Sequence, residues 1–296
     1  MDTIFGFHPA VFFGQLLIGL INGSFYAILS LGLAVIFGLL NIVNFAHGAF
    51  YMLGAFAAWF LAKYTGLEYW WALALAPLAV GLAGILVERA LLARVAHLDH
   101  LYGLLLTFGL ALVVQGVFRN YFGSSGMPYG APPLLSGGLD LGMMFVPAYR
   151  LWVVVASLVV CLGTWAIIEK TKLGAYLRAA TEEPRLLESF GVNVKLLVTL
   201  TYGFGVALAA FAGVLAAPIY SVNPNMGADL IIVVFAVVVI GGMGSIIGAI
   251  ITGFGLGLVE GFTKVVWPEA SATVIFVLMA IVLLLRPTGL FGKEAA

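Results

Sequence analysis

Residues 3–62 contain no Asp, Glu, Lys or Arg. An uncharged, mainly apolar stretch of that length has room for two or more membrane crossings, because one helical span needs about 20 such residues. The rest of the chain is similar, with 63% hydrophobic and only 9% charged residues and a mean hydropathy of +1.16. Soluble domains carry about 25% charged residues, so an ordinary soluble enzyme is excluded. Thirteen basic residues balance thirteen acidic ones, which excludes a nucleic-acid binder with its basic face. The one cysteine, Cys161, sits in an apolar run, so neither a disulfide framework nor a thiolate metal site is expected.

The expected fold class is an all-α, polytopic membrane protein, a single transmembrane domain over residues 1–296. Besides residues 3–62, apolar runs lie near 71–87, 101–118, 151–168, 196–217, 230–259 and 272–285. The run 230–259 is long for one crossing and contains Gly241-Gly242-Met243-Gly244. It reads as two short helices meeting at a glycine break. Eight or nine crossings follow, including broken or short helices. No basic residue precedes the first apolar run, so a signal peptide is not expected. Nine of the thirteen basic residues fall in three segments: Arg89 and Arg94; Lys170, Lys172, Arg178, Arg185 and Lys195; Arg286 and Lys293. The bias of Lys and Arg toward the cytoplasm places these segments, and the C-terminus, inside.

The two large connections differ. Residues 119–150, outside, are rich in turn formers and read as ordered turns over the outer mouth or as a slack connector. Residues 169–195, inside, contain a short helix. Thr181 is expected to cap it, Glu182-Glu183-Pro184 suits a first turn, and Gly191 suits its end. Leu186, Leu187 and Phe190 give it an apolar stripe. It is read either as an interfacial helix or as a knob docking in a groove on a soluble partner. Glu182, Glu183 and Glu188 outnumber Arg185, which disfavours anionic lipid and favours the knob.

The stretch Arg178-Ala-Ala-Thr-Glu-Glu-Pro-Arg-Leu-Leu-Glu-Ser-Phe-Gly-Val-Asn resembles the coupling loop of ABC importer permeases. Further blocks narrow the resemblance to the branched-chain (hydrophobic) amino acid permease family. They are Asn41-Ile-Val-Asn-Phe-Ala-His-Gly-Ala-Phe-Tyr-Met-Leu-Gly-Ala, Val87-Glu-Arg-Ala, Gly241-Gly-Met-Gly-Ser-Ile-Ile-Gly-Ala and Arg286-Pro-Thr-Gly-Leu-Phe-Gly. The usual coupling motif begins Glu-Ala-Ala, whereas this chain has Thr181-Glu-Glu-Pro. The resemblance implies a pair of related permeases, commonly a heterodimer, in the bacterial cytoplasmic (inner) membrane. It implies two cytoplasmic ATPase subunits and an extracytoplasmic substrate-binding protein. ATP would be bound by the partner subunits, with no cofactor held by this chain and no enzymatic activity of its own. The sequence agrees, for it contains no GxxxxGK[ST] phosphate loop.

Asn41, Asn44 and His47 interrupt an apolar stretch, and polar groups in lipid must face protein or water. At helical spacing Asn41, Asn44, Gly48 and Tyr51 share one face. Either the asparagines cap and stitch a broken helix, or freed backbone groups at the break line a substrate path. The docking residues implied for the ATPases are Thr181, Glu182, Glu183, Arg185, Leu186, Leu187, Phe190 and Gly191. Gly244/Gly248 and Gly257/Gly261 read as small-xxx-small packing pairs, with the permease–permease interface as one place for them. Glu88 and Arg89 read as interface anchors with partners on other helices, Glu260 as a solvated helix end, and Tyr69, Trp70, Trp71 and Trp267 as belt anchors. An importer of branched-chain or other hydrophobic amino acids is the leading function. The same architecture importing urea, amides or aromatic acids is the alternative. An ion-coupled secondary transporter would need paired intramembrane carboxylates that are not in evidence.

Overall fold

The computed structural model describes residues 8–40, 43–96, 98–140, 142 and 144–292. Helix α1 (Pro9–Leu40) is followed by α2 (Ala46–Phe60), which runs on into a π-helical turn, Leu61–Thr65. Helix α3 (Tyr69–Val87) continues through a second π-helical stretch, Glu88–Leu92, into the single turn α4 (Ala93–Val95). Next come α5 (His100–Phe122), the hairpin β1 (Gly138–Asp140) and β2 (Phe145–Pro147), and α6 (Ala148–Lys170). The second half holds α7 (Lys172–Glu182), α8 (Pro184–Ser189), α9 (Val194–Ala216), α10 (Met226–Gly241), α11 (Ile246–Val266) and α12 (Val274–Leu285). The chain is an all-α, multi-pass membrane protein. Six of its described helices are long and apolar enough to span, and α2, α10 and α12 are shorter apolar helices.

The helices start where local chemistry lets them. Asp99 Oδ1 accepts from Leu101 N at 2.9 Å ahead of α5, Asn193 Oδ1 from Leu196 N at 3.0 Å ahead of α9, and Ser245 Oγ from Gly248 N at 3.1 Å ahead of α11. Each supplies one of the acceptors a helix start lacks. The long run 230–259 divides as the glycines require: α10 ends at Gly241, and Gly242 and Gly244 take φ of +97° and +80°, where a side chain is strained.

Helix α1 is the hub. Its residues Gly23 to Ile36 are buried on every side, so it is wrapped by protein rather than lipid. It packs along α11 through glycines: a Cβ on Gly257 would lie 2.4 Å from Gly19 O, and one on Gly261 2.5 Å from Gln15 O. Ser30 Oγ adds a bond to Ala249 O at 3.1 Å. Gly257/Gly261 is therefore occupied inside this chain and is not free for a second permease. Gly244 and Gly248 also pack between helices, though not along one helix face: Gly244, in the turn before α11, meets Gly38 of α1, and Gly248 of α11 meets Gly241 at the end of α10. At the other extreme, α5 buries only Gly103 and Thr107.

The described residues of the three basic segments lie at one end of the bundle, hereafter the basic end. Leu187 and Val194 cluster with Leu39 there, Glu88 bonds Thr199 of α9, and Phe291 and Gly292 share a cleft with Glu169 and Arg178. The opposite end carries the described residues between 123 and 140, where Met127 and Val222 exchange backbone bonds, and the hairpin that pairs Leu139 with Val146. Trp71 and Trp267 are exposed near that end, but Tyr69 is buried, accepting from Trp152 Nε1 at 3.1 Å beside Tyr149. It is a packing residue rather than a belt anchor.

Gly257→Val is expected to force α1 and α11 apart, at a cost of about 1–3 kcal/mol. Gly255→Val, which meets nothing within 4 Å, is the control. The purified protein in detergent should lose thermal stability with the first substitution and not with the second.

Candidate functional site

Leu29 is eleven residues before Leu40, about 16 Å along α1 at 1.5 Å per residue. His47 Nε2 lies 3.1 Å from Leu29 O, so α2 begins near the middle of the membrane rather than at either surface. The bond to a carbonyl assigns the proton to Nε2 and leaves Nδ1, fully buried, without a partner. Asn44 Nδ2 donates to Tyr202 Oη of α9 at 3.1 Å, while its buried Oδ1 is also unpaired. Phe45 N donates to Thr107 Oγ1 of α5 at 3.2 Å, and the Phe45 ring packs on Phe108 of α5 and Phe235 of α10. Gly48 meets α10 backbone to backbone, and Tyr51 is buried beside Gly213 of α9.

The structure thus gathers Asn44, His47, Gly48 and Tyr51 at one junction but corrects their arrangement. They do not line one face of an open path. Asn44 and Tyr51 turn to α9, His47 to α1 and Gly48 to α10, and α2 is enclosed here by α1, α5, α9 and α10. Asn41 lies outside the described residues.

Helix α10 begins at the same level, since a Cβ on Gly48 would fall 2.5 Å from Gly227 O. From there α2 runs to the opposite end and α10 to the basic end, so two broken helices meet start to start.

Two polar groupings escaped the sequence reading, at Asn225 and at Glu260. Asn225 Oδ1 accepts from Gln115 Nε2 at 3.0 Å and from the Arg119 guanidinium, tying the end of α5 to the start of α10. Asp229, one turn on, is exposed, and its carboxylate has no hydrogen bond or ion pair among the described residues. Spacing was the available signal: Gln115/Arg119 and Asn225/Asp229 are both i, i+4 pairs. Glu260 is 8% exposed, not a solvated helix end. It accepts from Tyr26 Oη at 2.7 Å, from Lys264 Nζ at 2.5 Å and from Asn22 Nδ2 at 3.3 Å. Glu88, also buried, has the expected partner on another helix, accepting from Thr199 Oγ1 of α9 at 2.7 Å.

The connection 169–195 is built differently from its expected form. Thr171, not Thr181, supplies the side-chain cap, accepting from Leu173 N at 3.3 Å, and α7 then runs on through Thr181 and Glu182. Thr181 is in the last turn of α7, where its hydroxyl donates to Arg178 O at 2.7 Å. Helix α8 has six residues, with Pro184 in its first turn and Gly191 at φ +84° just beyond it. Leu187 is 7% exposed and packs with Ala180, Val194 and Leu197, so it anchors the loop to the bundle. Leu186 and Phe190, 57% and 76% exposed, are the apolar side chains offered outward, with Glu182, Glu183 and Arg185 exposed around them. Beside this loop a cleft of about 520 Å³ is lined by Phe37, Leu39, Arg178, Thr181, Ser245 and Phe291.

The family model for the permease component of branched-chain amino acid transport systems matches residues 15–283. The chain belongs to that family. Curated relatives agree along nearly the whole length. The permease protein BraD of the high-affinity branched-chain amino acid transport system of Pseudomonas aeruginosa is 32% identical, over 94% of this chain and 95% of the relative. LivH of Escherichia coli K12 is 29% identical over 95% and 96%. LivM of the same organism is 30% identical over 90% of this chain and 67% of its own length. No solved structure matches.

As a member of that family the chain is a transport component, and a polar bond at its central junction is open to direct test. Removing one partner of a buried pair costs about 1–3 kcal/mol, whereas removing both costs less than the sum. Asn44→Leu and Tyr202→Phe should each lower thermal stability, and the double variant should lose less than the two added together.

Proposed function

We propose that this chain is the membrane-spanning permease subunit of an ATP-driven, binding-protein-dependent importer of branched-chain or other hydrophobic amino acids. It works in the bacterial cytoplasmic membrane with its basic end inside. A second, related permease stands beside it; matches to both LivH and LivM support a pair of such chains. Two ATPase subunits sit under the basic end, and a soluble binding protein delivers substrate to the connection between α5 and α6.

The observation that carries the ATPase partnership is the 169–195 connection. Leu187 pins a short, glycine-terminated helix to the bundle while Leu186 and Phe190 project from it without cover. Such an apolar knob suits a groove on a soluble partner. Substrate crosses near residues 44–51, where α2 and α10 meet at mid-depth. Broken helices at such a junction offer polar backbone without exposing it to lipid. Urea, amides and aromatic acids remain the competing cargo, and the names of the relatives favour branched-chain amino acids.

The decisive experiment is uptake by the reconstituted complex with its own binding protein, presented in turn with leucine, glutamate, urea and benzoate. Leucine uptake driven by ATP is the expected result, and transport of only urea or benzoate would replace the cargo named here. Phe190→Asp and Leu186→Asp should each weaken ATPase co-purification without loss of thermal stability. Burial of one such side chain is worth about 1.5–3 kcal/mol, or roughly one to two decades of affinity. Leu187→Asp should instead destabilise the permease itself. A cysteine at Ser124 should react with an impermeant thiol reagent added outside intact cells; reaction only after lysis would invert the topology.

A further inference from the structure

Helices α5 and α10 each pack against α2 but scarcely against each other, and the Phe45 ring lies between them, on Phe108 of α5 and Phe235 of α10. On α5 the residues Phe108, Leu112, Gln115 and Arg119 recur at helical spacing along one stripe. The α10 side brings Asn225, Asp229 and Ile232. The bonds from Gln115 and Arg119 to Asn225 fix the two walls at their polar end. Phe108, Leu112 and Ile232, each about half exposed, form the apolar part nearer Phe45.

This face cannot be lipid-facing. Asp229 stands twelve residues before Gly241, about 18 Å along the helix. Gly241 lies at the basic end, where Phe291 N bonds its carbonyl. In a hydrocarbon layer of about 30 Å, Asp229 then falls about 12 Å short of the opposite boundary. A carboxylate at that depth faces protein or water. Arg119 and Asp229 both adjoin Asn225, yet they form no ion pair with each other, nor with any other charged group among the described residues. A guanidinium and a carboxylate thus both adjoin Asn225 without pairing, on the same stretch of α5 and α10 as the exposed Phe108, Leu112 and Ile232.

We propose that the α5–α10 groove binds the substrate as a free zwitterion with an apolar side chain. Arg119 takes the carboxylate and Asp229 the ammonium; Gln115 and Asn225 hold Arg119 in place. The side chain lies on Leu112, Ile232 and Phe45. Such a groove has its polar part at the last turns of α5 and its apolar part at Phe45 beside the start of α2, so it leads from the opposite end toward the mid-membrane junction. This inference rests on the importer reading above and adds the recognition chemistry to it. Benzoate, which lacks the ammonium, satisfies only the Arg119 wall, and urea, which carries neither charge, satisfies neither.

The test uses the whole complex, two permeases, ATPases and binding protein, in proteoliposomes with leucine-loaded binding protein at saturation. Arg119→Gln and Asp229→Asn should each cut leucine uptake about tenfold or more, the scale set by losing one charged hydrogen bond. Both should keep the second permease on co-purification and keep ATP hydrolysis stimulated by loaded binding protein. Arg119→Lys, which retains the charge, should recover part of the uptake lost in Arg119→Gln. Unchanged uptake in both neutral variants overturns the zwitterion site. Loss of the second permease overturns it too, because the charges would then be contacts between subunits. If the wild-type complex carries no leucine at all, the importer reading fails first, an outcome distinct from failure of the variants.

Discussion

Two places where backbone touches backbone organise the whole bundle. A Cβ on Gly32 of α1 would fall 2.8 Å from Gly205 O of α9, and the contact is mutual. Gly48 of α2 and Gly227 of α10 stand in the same relation. Without side chains between them, helices approach to the limit of their main chains, and α1–α2 and α9–α10 become two bent units interlocked in opposite directions. Lipid offers no partner for stray N–H and C=O groups, so a chain that breaks its helices at mid-depth must surround the breaks with protein. The complete burial of α1 between Gly23 and Ile36 is one result of that demand.

The polar side chains inside the bundle follow the same logic. Glu88 and Glu260 sit near opposite ends and are both buried, yet each is held by hydroxyl donors from another helix. A buried charge is tolerable when its lone pairs are filled. In each case the donor, Thr199 or Tyr26, comes from a helix that the acid's own segment already packs against. These bonds therefore fix the register of helices whose glycine contacts alone would let them slide.

Sequence periodicity and local chemistry made the fold class, the basic end and the glycine break between α10 and α11 legible, because lipid solvation and positive φ each act on a few adjacent residues. The left-handed Gly191 was legible for the same reason. What failed depended on distant segments. Thr181 looks like a cap when read alone, but Thr171 starts the helix ten residues earlier and carries it past that point. Leu186, Leu187 and Phe190 are indistinguishable as letters. Only the return of α9, bringing Val194 and Leu197, decides that Leu187 is buried and its neighbours are not. Glu260 required Asn22 and Tyr26, more than 230 positions away, to be seen as buried. In the central region Asn44 and His47 stood out as polar letters in an apolar run, whereas Gln115, Arg119, Asn225 and Asp229 were hidden at the margins of spans.

Residues 286–292 fold back so that Leu290 N bonds Ile240 O at 2.8 Å and Phe291 N bonds Gly241 O at 3.1 Å. These are the last carbonyls of α10, whose other end is the central junction. A rigid rod of sixteen residues therefore links the membrane interior to a short strap at the water's edge. Any tilt of α10 at its buried start must be transmitted to that strap, which makes residues 286–292 a natural lever arm: a probe placed there would register events at the core without being inserted into it.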